Sequence, residues 1–339
     1  MPSRRLVLAA GAAALGAPHI RTARAQAPIR FCLDWALQGN HGMFALAEER
    51  GLFRREGLAI RMDRGFGSGD TAVKVASGAY DIGYTDPSTM VKFNAENPDK
   101  RLVSIYQVLD RTAAALTTLR RSRITEPKGV VGKRLGAPEG EASRMLFPAF
   151  ARAQGIDASA VRWTSMAANL RDTMLAQGQV DAVTGFLFTT HFNLVGVGMP
   201  EADIVSWPYA ENGLDIYGSA IVARAEWLER NAQQAAGFVR ASVEGLKLLL
   251  AEPDAGMALL KRREPLFDEA LEKRRWFMTR DRGILTPNVR EGGTGVLDAA
   301  RSATLVRVNS EAYGVTNPPN PAEMFTDRFL PPASERRIG

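Results

Sequence analysis

The sequence predicts an α/β protein of two lobes. Three observations carry this. From residue 28 to about residue 223, short β-branched or apolar runs alternate with amphipathic runs of helical period, the pattern of strand-helix-strand units around a mostly parallel sheet. The 314 residues from Gln26 to Gly339 exceed what one core usually fills. A third sign is an internal echo: Val75-Ala76-Ser77-Gly78-Ala79-Tyr80-Asp81 is answered by Leu175-Ala176-Gln177-Gly178-Gln179-Val180-Asp181. Each reads as a helix end, a glycine that takes the left-handed conformation closing the helix, and a strand opening on Asp. If real, the echo builds both lobes on one unit.

In order, the strands are expected at Ile29–Asp34, Leu58–Asp63, Tyr80–Thr85, Leu102–Val108, Ala114–Leu119, Arg134–Ala137, Val161–Ser165, Val180–Thr184 and Ile216–Ala223. Helices are expected between them at Gly42–Arg50, Asp70–Ser77, Pro87–Glu96, Glu141–Gln154 and Ala168–Gln177. Pro87 suits a first helical turn, where its missing N–H is not needed. From Ala225 the pattern turns almost wholly helical, and the prolines between Asn317 and Pro332 mark an irregular tail.

Residues 1–25 contain Arg4, Arg5, Arg21 and Arg24, no acidic residue, and an apolar small-residue run from Leu6 to Ala17. That is the layout of a cleavable export signal, too short to span a bilayer core that needs about 20 helical residues. Ala23-Arg24-Ala25 places the cut before Gln26. Ser3-Arg4-Arg5-Leu6-Val7-Leu8 fits a twin-arginine signal and an ordinary secretory one alike. Without these four arginines the formal charge of +6 falls to +2, so no nucleic-acid partner is implied. The single cysteine, Cys32, has no partner for an intramolecular disulfide and reads as a buried strand residue.

Ligands of open α/β sheets lie beyond the carboxyl ends of the strands, so each strand-to-helix turn is a candidate. The first turn offers the carboxylate of Asp34, the indole of Trp35 and the imidazole of His41, a set able to stack a planar ligand and accept its N–H groups. The second, with Gly67, Ser68, Asp70 and Thr71, is glycine-rich but lacks the spacing of a dinucleotide fingerprint. Asp86 and Ser88 follow the third strand; Glu139, Gly140, Asn169 and Thr184 occupy the matching turns of the second half. Each of these also fits a plain capping or turn role.

No catalytic set emerges. Beyond His19 there are only His41 and His191, with no HExxH, no Cys–His pairing and no GxSxG turn. Binding, with no cofactor and no metal, is the economical reading.

Several short motifs in order resemble the NMT1/THI5-like branch of ABC-transporter substrate-binding proteins. They are Phe31-Cys32-Leu33-Asp34-Trp35 with His41, Ala47 to Phe53, Glu56-Gly57-Leu58, Val75 to Gly78 and Asp81-Ile82-Gly83. Lys133 to Gly136, Gly155-Ile156-Asp157 and Gly178 to Ala182 follow, so the likeness runs through most of residues 28–260. The resemblance implies a type II periplasmic-binding fold with two interlobe crossings, near 117–124 and 208–218. Lobe one would hold 26–117 and 218–339, and lobe two 118–217. The lobes would close on a ligand, with Tyr217 and Gly218 at the pivot.

It further implies a periplasmic monomer that hands a small molecule to an inner-membrane permease and ATPase. The ligand would be a planar heterocycle such as a thiamine-precursor pyrimidine, or a sulfonate-like solute. Gly185 to Thr189 lacks the acidic residue expected to hold an aminopyrimidine. The family's fungal-type pyrimidine synthase, which uses pyridoxal phosphate, carries a lysine and a histidine where this chain has Thr85 and Thr89, so an enzyme is disfavoured. A periplasmic ligand sensor with the same fold remains a second alternative.

Overall fold

The computed structural model describes residues 27–338; the expected export segment and its cleavage site lie outside them. Among the described residues ten strands form two five-stranded mixed sheets. β1 (Ile29–Cys32), β2 (Ile60–Asp63), β3 (Ile82–Thr85), β4 (Leu102–Gln107) and β10 (Ala220–Arg224) make the first, in the order β2-β1-β3-β10-β4. β5 (Ala114–Leu119), β6 (Arg134–Ala137), β7 (Arg162–Ser165), β8 (Ala182–Phe186) and β9 (Ile204–Pro208) make the second, in the order β7-β6-β8-β5-β9. β1 runs parallel to β2 and β3, and β10 lies antiparallel between β3 and β4. The second sheet repeats the plan, with β6 parallel to β7 and β8 and with β5 antiparallel to β8 and β9.

The internal echo therefore marks a structural repeat. Arg30 of β1 donates from its backbone and guanidinium to Asp81, and Arg134 of β6 does the same to Asp181. Gly78 and Gly178 both end their helices at positive φ, 80° and 75°, which a side chain would disfavour.

Two expectations need correcting. β5 belongs wholly to the second sheet, so the first crossing occupies residues 108–113 and not 117–124. A strand of Ala, Leu and Thr buried on both faces fits either sheet, and nothing local says which one it joins. β9 was not expected: it is an edge strand with every residue half-buried and a proline at its end, which blurs the alternation that marks a strand. The second crossing lies at 209–219.

The crossings bind each other. Leu109 and Val108 donate to Ser219 O, Gly218 donates to Leu109 O, and Thr112 donates to Ile216 O. A Cβ on Gly218 would come within 2.8 Å of Arg111 O, so this glycine serves close approach of the two segments. Arg301, from the helix Ala299–Tyr313, donates to Asp110 on one crossing and to Asp215 on the other. The same helix packs on Ser88–Glu96 of lobe one and Ala142–Ala153 of lobe two. Among the described residues no helix is long and apolar enough to cross a membrane.

Candidate functional site

A small, partly open cavity lies between the lobes. Asp34, Trp35, Gln38, Gly67 and Ser68 line it from lobe one, and Glu141, Ala142, Arg171, Phe186 and Thr189 from lobe two. It leaves about 20 Å³ for the centre of a water-sized sphere, so the lobes are drawn together. Three contacts span the cleft: Gly69 N–H donates to Gly140 O (2.9 Å), Thr189 Oγ1 donates to Gln38 Oε1 (3.0 Å), and the Arg171 guanidinium sits 5.3 Å from the Trp35 ring centre.

Asp34 follows β1 and is buried. Behind it His41 is fully buried. Gln38 N–H donates to its Nδ1 at 3.1 Å, which puts the ring proton on Nε2, 3.1 Å from Asp34 Oδ1. His41 thus orients Asp34 from below and does not line the cavity. Glycines let the next turn come close: Gly67 has φ 137°, its N–H donates to Asp34 O, and a Cβ there would meet Gly140 O at 3.0 Å.

On the facing lobe Glu141 is the residue before the helix Ala142–Ala153. Its two oxygens accept from the N–H groups of Ser143 (3.0 Å) and Arg144 (2.8 Å), as a carboxylate at a helix start should. Lobe two thus brings an acidic group to the cavity from a turn other than Gly185 to Thr189.

Of the expected site residues, Asp34, Trp35, Gly67 and Ser68 line the cavity. Gly140 and Thr184 adjoin it, the first through its contact with Gly69, the second by donating to Glu141 over 3.4 Å. Thr71 is buried one layer down, with its hydroxyl on Leu33 O. Asp86 is fully buried and takes the N–H and hydroxyl of Ser88 on Oδ1; Oδ2 has no hydrogen-bond partner. Burial pushes its carboxyl up to about 6, the Ser88 bonds oppose this, and the charges of Glu141 and Asp34 add to it.

The remaining expected residues do not line this cavity. Asp70 pairs with Lys74 on a half-exposed helix face, and Glu139 is exposed and accepts from Ser165. Both point out of turns whose neighbours point in, and side chains adjacent in a turn diverge. Asn169 is exposed and lines a wider groove of about 440 Å³ that shares Trp35 and Gln38 with the cavity. Tyr217 lies at the crossing, its hydroxyl accepting from Asp298 N–H and its ring under Arg301.

Gln38, Glu141, Ala142 and Phe186 lie on the candidate turns without having been singled out from the sequence, and sequence reasoning missed Arg171 and Thr189. Glu141 carried a signal, an acidic residue at the start of a helix after a strand. Arg171 carried none. It is 1 % exposed and pairs with Asp172 through Nε and Nη2. Burial disfavours its charge, yet Asp172 and then Glu141 more than offset this and hold its pKa above the ordinary value.

Three relatives bear on this geometry. A formylaminopyrimidine-binding protein of Halalkalibacterium halodurans is 22% identical over 245 residues, 68% of this chain and 69% of the relative. A 4-amino-5-hydroxymethyl-2-methylpyrimidine phosphate synthase of Aspergillus parasiticus is 24% identical over 236 residues, 67% of this chain and 68% of its own. The solved periplasmic aliphatic sulphonate binding protein SsuA of Escherichia coli superposes with a TM-score of 0.65 at 16% identity, covering 88% of this chain and 95% of that one. The architecture is thus the type II periplasmic-binding fold. A family profile described as NMT1/THI5 like matches residues 38–256, most of the two sheets and the cavity between them, and the chain belongs to the NMT1/THI5-like family.

Proposed function

We propose that this chain is the periplasmic substrate-binding component of an ABC importer, and that it closes on a small planar heterocycle rich in N–H groups. The observation that carries the reading is the cavity itself, where the aromatic side chains of Trp35 and Phe186 and the carboxylates of Asp34 and Glu141 converge from opposite lobes. Trp35 offers its ring to a planar ligand, while Asp34 and Glu141 accept hydrogen bonds from it. A sulfonate would face both carboxylates, so the heterocycle is preferred over the sulfonate-like solute.

The same site supports capture over synthesis. At position 85, where a pyridoxal-dependent relative would carry its lysine, Thr85 donates to Ser68 O and offers no amine for a Schiff base. Delivery to a permease follows from the fold's two states, because a ligand that touches both lobes favours the closed one by its extra affinity for it. The export-type segment before Gln26 supports a periplasmic location.

Trp35→Ala is expected to weaken binding by about 1 kcal/mol through lost stacking. Asp34→Asn is expected to cost about 1.5–3 kcal/mol through a lost charged hydrogen bond. Calorimetric titration with aminopyrimidines, with unfolding midpoints as the fold control, checks both. Unchanged affinity in the two variants would remove this cavity from the binding site.

A further inference from the structure

Large apolar side chains in water are gathered on one face of this protein. Among the described residues six are exposed, and four of them border the wider groove beside the cavity. Leu266 and Val197 line it, Leu170 follows the lining residue Asn169, and the ring of Phe66 lies 4.9 Å from the guanidinium carbon of the lining Arg64. Exposed apolar groups that cluster mark an interaction surface, whereas single ones need no explanation. Leu266 is 90 % exposed and stands on the turn between the helices Pro253–Arg263 and Glu269–Thr279. Its neighbour Phe267 is buried and anchors that turn. The face thus carries a protruding leucine beside a hollow that Leu37, Phe192 and Leu271 help to wall.

The charges on the same face complement one another. Asp172 and Glu272 are paired with Arg171 and Arg275, and Asp268 caps its own helix by accepting from the N–H groups of Ala270 and Leu271. That leaves Arg64 and, on the turn that bears Leu266, Glu264; neither makes an ion pair among the described residues. A two-fold axis sets one patch against itself, so it needs a knob and a hollow, and a cation and an anion, on the same surface. We propose that this face is an isologous interface between two copies of this chain. Leu266 of each copy seats in the groove of the other, and Arg64 of each faces Glu264 of the other. The groove takes Leu37 and Arg64 from lobe one and Asn169 and Phe192 from lobe two, so the pairing belongs to the closed protein. It covers the side of each cavity at Trp35 and Gln38, and it departs from the monomer that the family resemblance implies.

Sedimentation equilibrium of the purified protein up to about 1 mM, at low and at moderate salt, reads the association. The wild type is expected to dimerise, less tightly as salt rises. Leu266→Asp is expected to weaken the dimer by about a hundredfold or more, because the change is made on both sides of the axis. Thermal unfolding controls for folding, which so exposed a position should not disturb. Arg64→Glu and Glu264→Arg are each expected to weaken the dimer by about tenfold, and the two together to recover wild-type association to within about threefold. A wild type that stays monomeric leaves the face to another partner and overturns the proposal. A dimer indifferent to Leu266→Asp, or a charge exchange that recovers nothing, overturns it equally by placing the contact elsewhere.

Discussion

Arg275→Ala is expected to destabilise the closed protein by about 3–5 kcal/mol and to enlarge its radius of gyration. Arg275 lies in the helix Glu269–Thr279, which packs on the turn Gly39–His41 of lobe one and on the helix Leu187–Gly196 of lobe two. It is 2 % exposed. Its Nε donates to Glu272 (2.8 Å), Nη1 to the carbonyls of Phe188 (3.0 Å) and Thr189 (2.9 Å), and Nη2 to Asn193 Oδ1 (2.9 Å). Glu272 in turn accepts from Gly39 N–H, and Asn193 donates to Asp172, the partner of Arg171. The ring of bonds runs from the Trp35 turn through lobe two and back.

Alanine at 275 would leave Glu272 as a buried charge without its cation and take from the helix carbonyls of Phe188 and Thr189 their second donor; the uncompensated charge is where the large cost arises. Opening the cleft relieves it by letting water in, so the open form gains population. Ligand affinity then falls in proportion to the closed fraction. Urea unfolding gives the first quantity and small-angle scattering without ligand the second. A loss under about 1 kcal/mol with an unchanged radius of gyration would show that the ring does not hold the lobes.

Asp86→Asn is expected to act in the opposite direction, raising stability at neutral pH by about 3 kcal/mol. The folded carboxyl titrates at about 6 against an ordinary value of 3.8. Between those values the folded state keeps a proton that the unfolded chain has released, so wild-type stability contributed by this group falls as pH rises. Above both, the whole cost of a buried charge facing Glu141 and Asp34 is present. Asparagine retains an oxygen for the two Ser88 bonds and places an N–H₂ where Oδ2 now has no partner. The gain should be full above pH 6 and vanish below about pH 4. Urea unfolding of both proteins across that range checks it; a difference that does not vary with pH would mean that Asp86 ionises freely.

The strands and helices that carry the fold were legible because burial on one or both faces writes its period into the sequence. Asp81 and Asp181, with their preceding glycines, even marked the repeat. Sheet membership was not legible, since Ala114–Leu119 has the same pattern whichever sheet receives it. In the site, Asp34, Trp35, Gly67 and Ser68 could be found because they follow strands. Arg171 could not: its burial depends on Asp172, Gly185 and Trp35, which only the folded chain brings around it.

The position of β10 has a consequence for the order in which the chain acquires structure. Lobe two is one unbroken stretch from Ala114 to Pro208, and every strand of its sheet exists once that stretch has emerged. Lobe one is different. Its third and fifth lanes, β3 and β4, are separated by a lane that only Ala220–Arg224 fills. During synthesis β3 and β4 therefore stand with open edges while the whole of lobe two is made, after β4 and before β10. Both are buried throughout in the finished sheet, and open apolar edges invite pairing with other chains. The interval between Gln107 and Ala220 is the stretch of synthesis in which this protein most needs protection from aggregation.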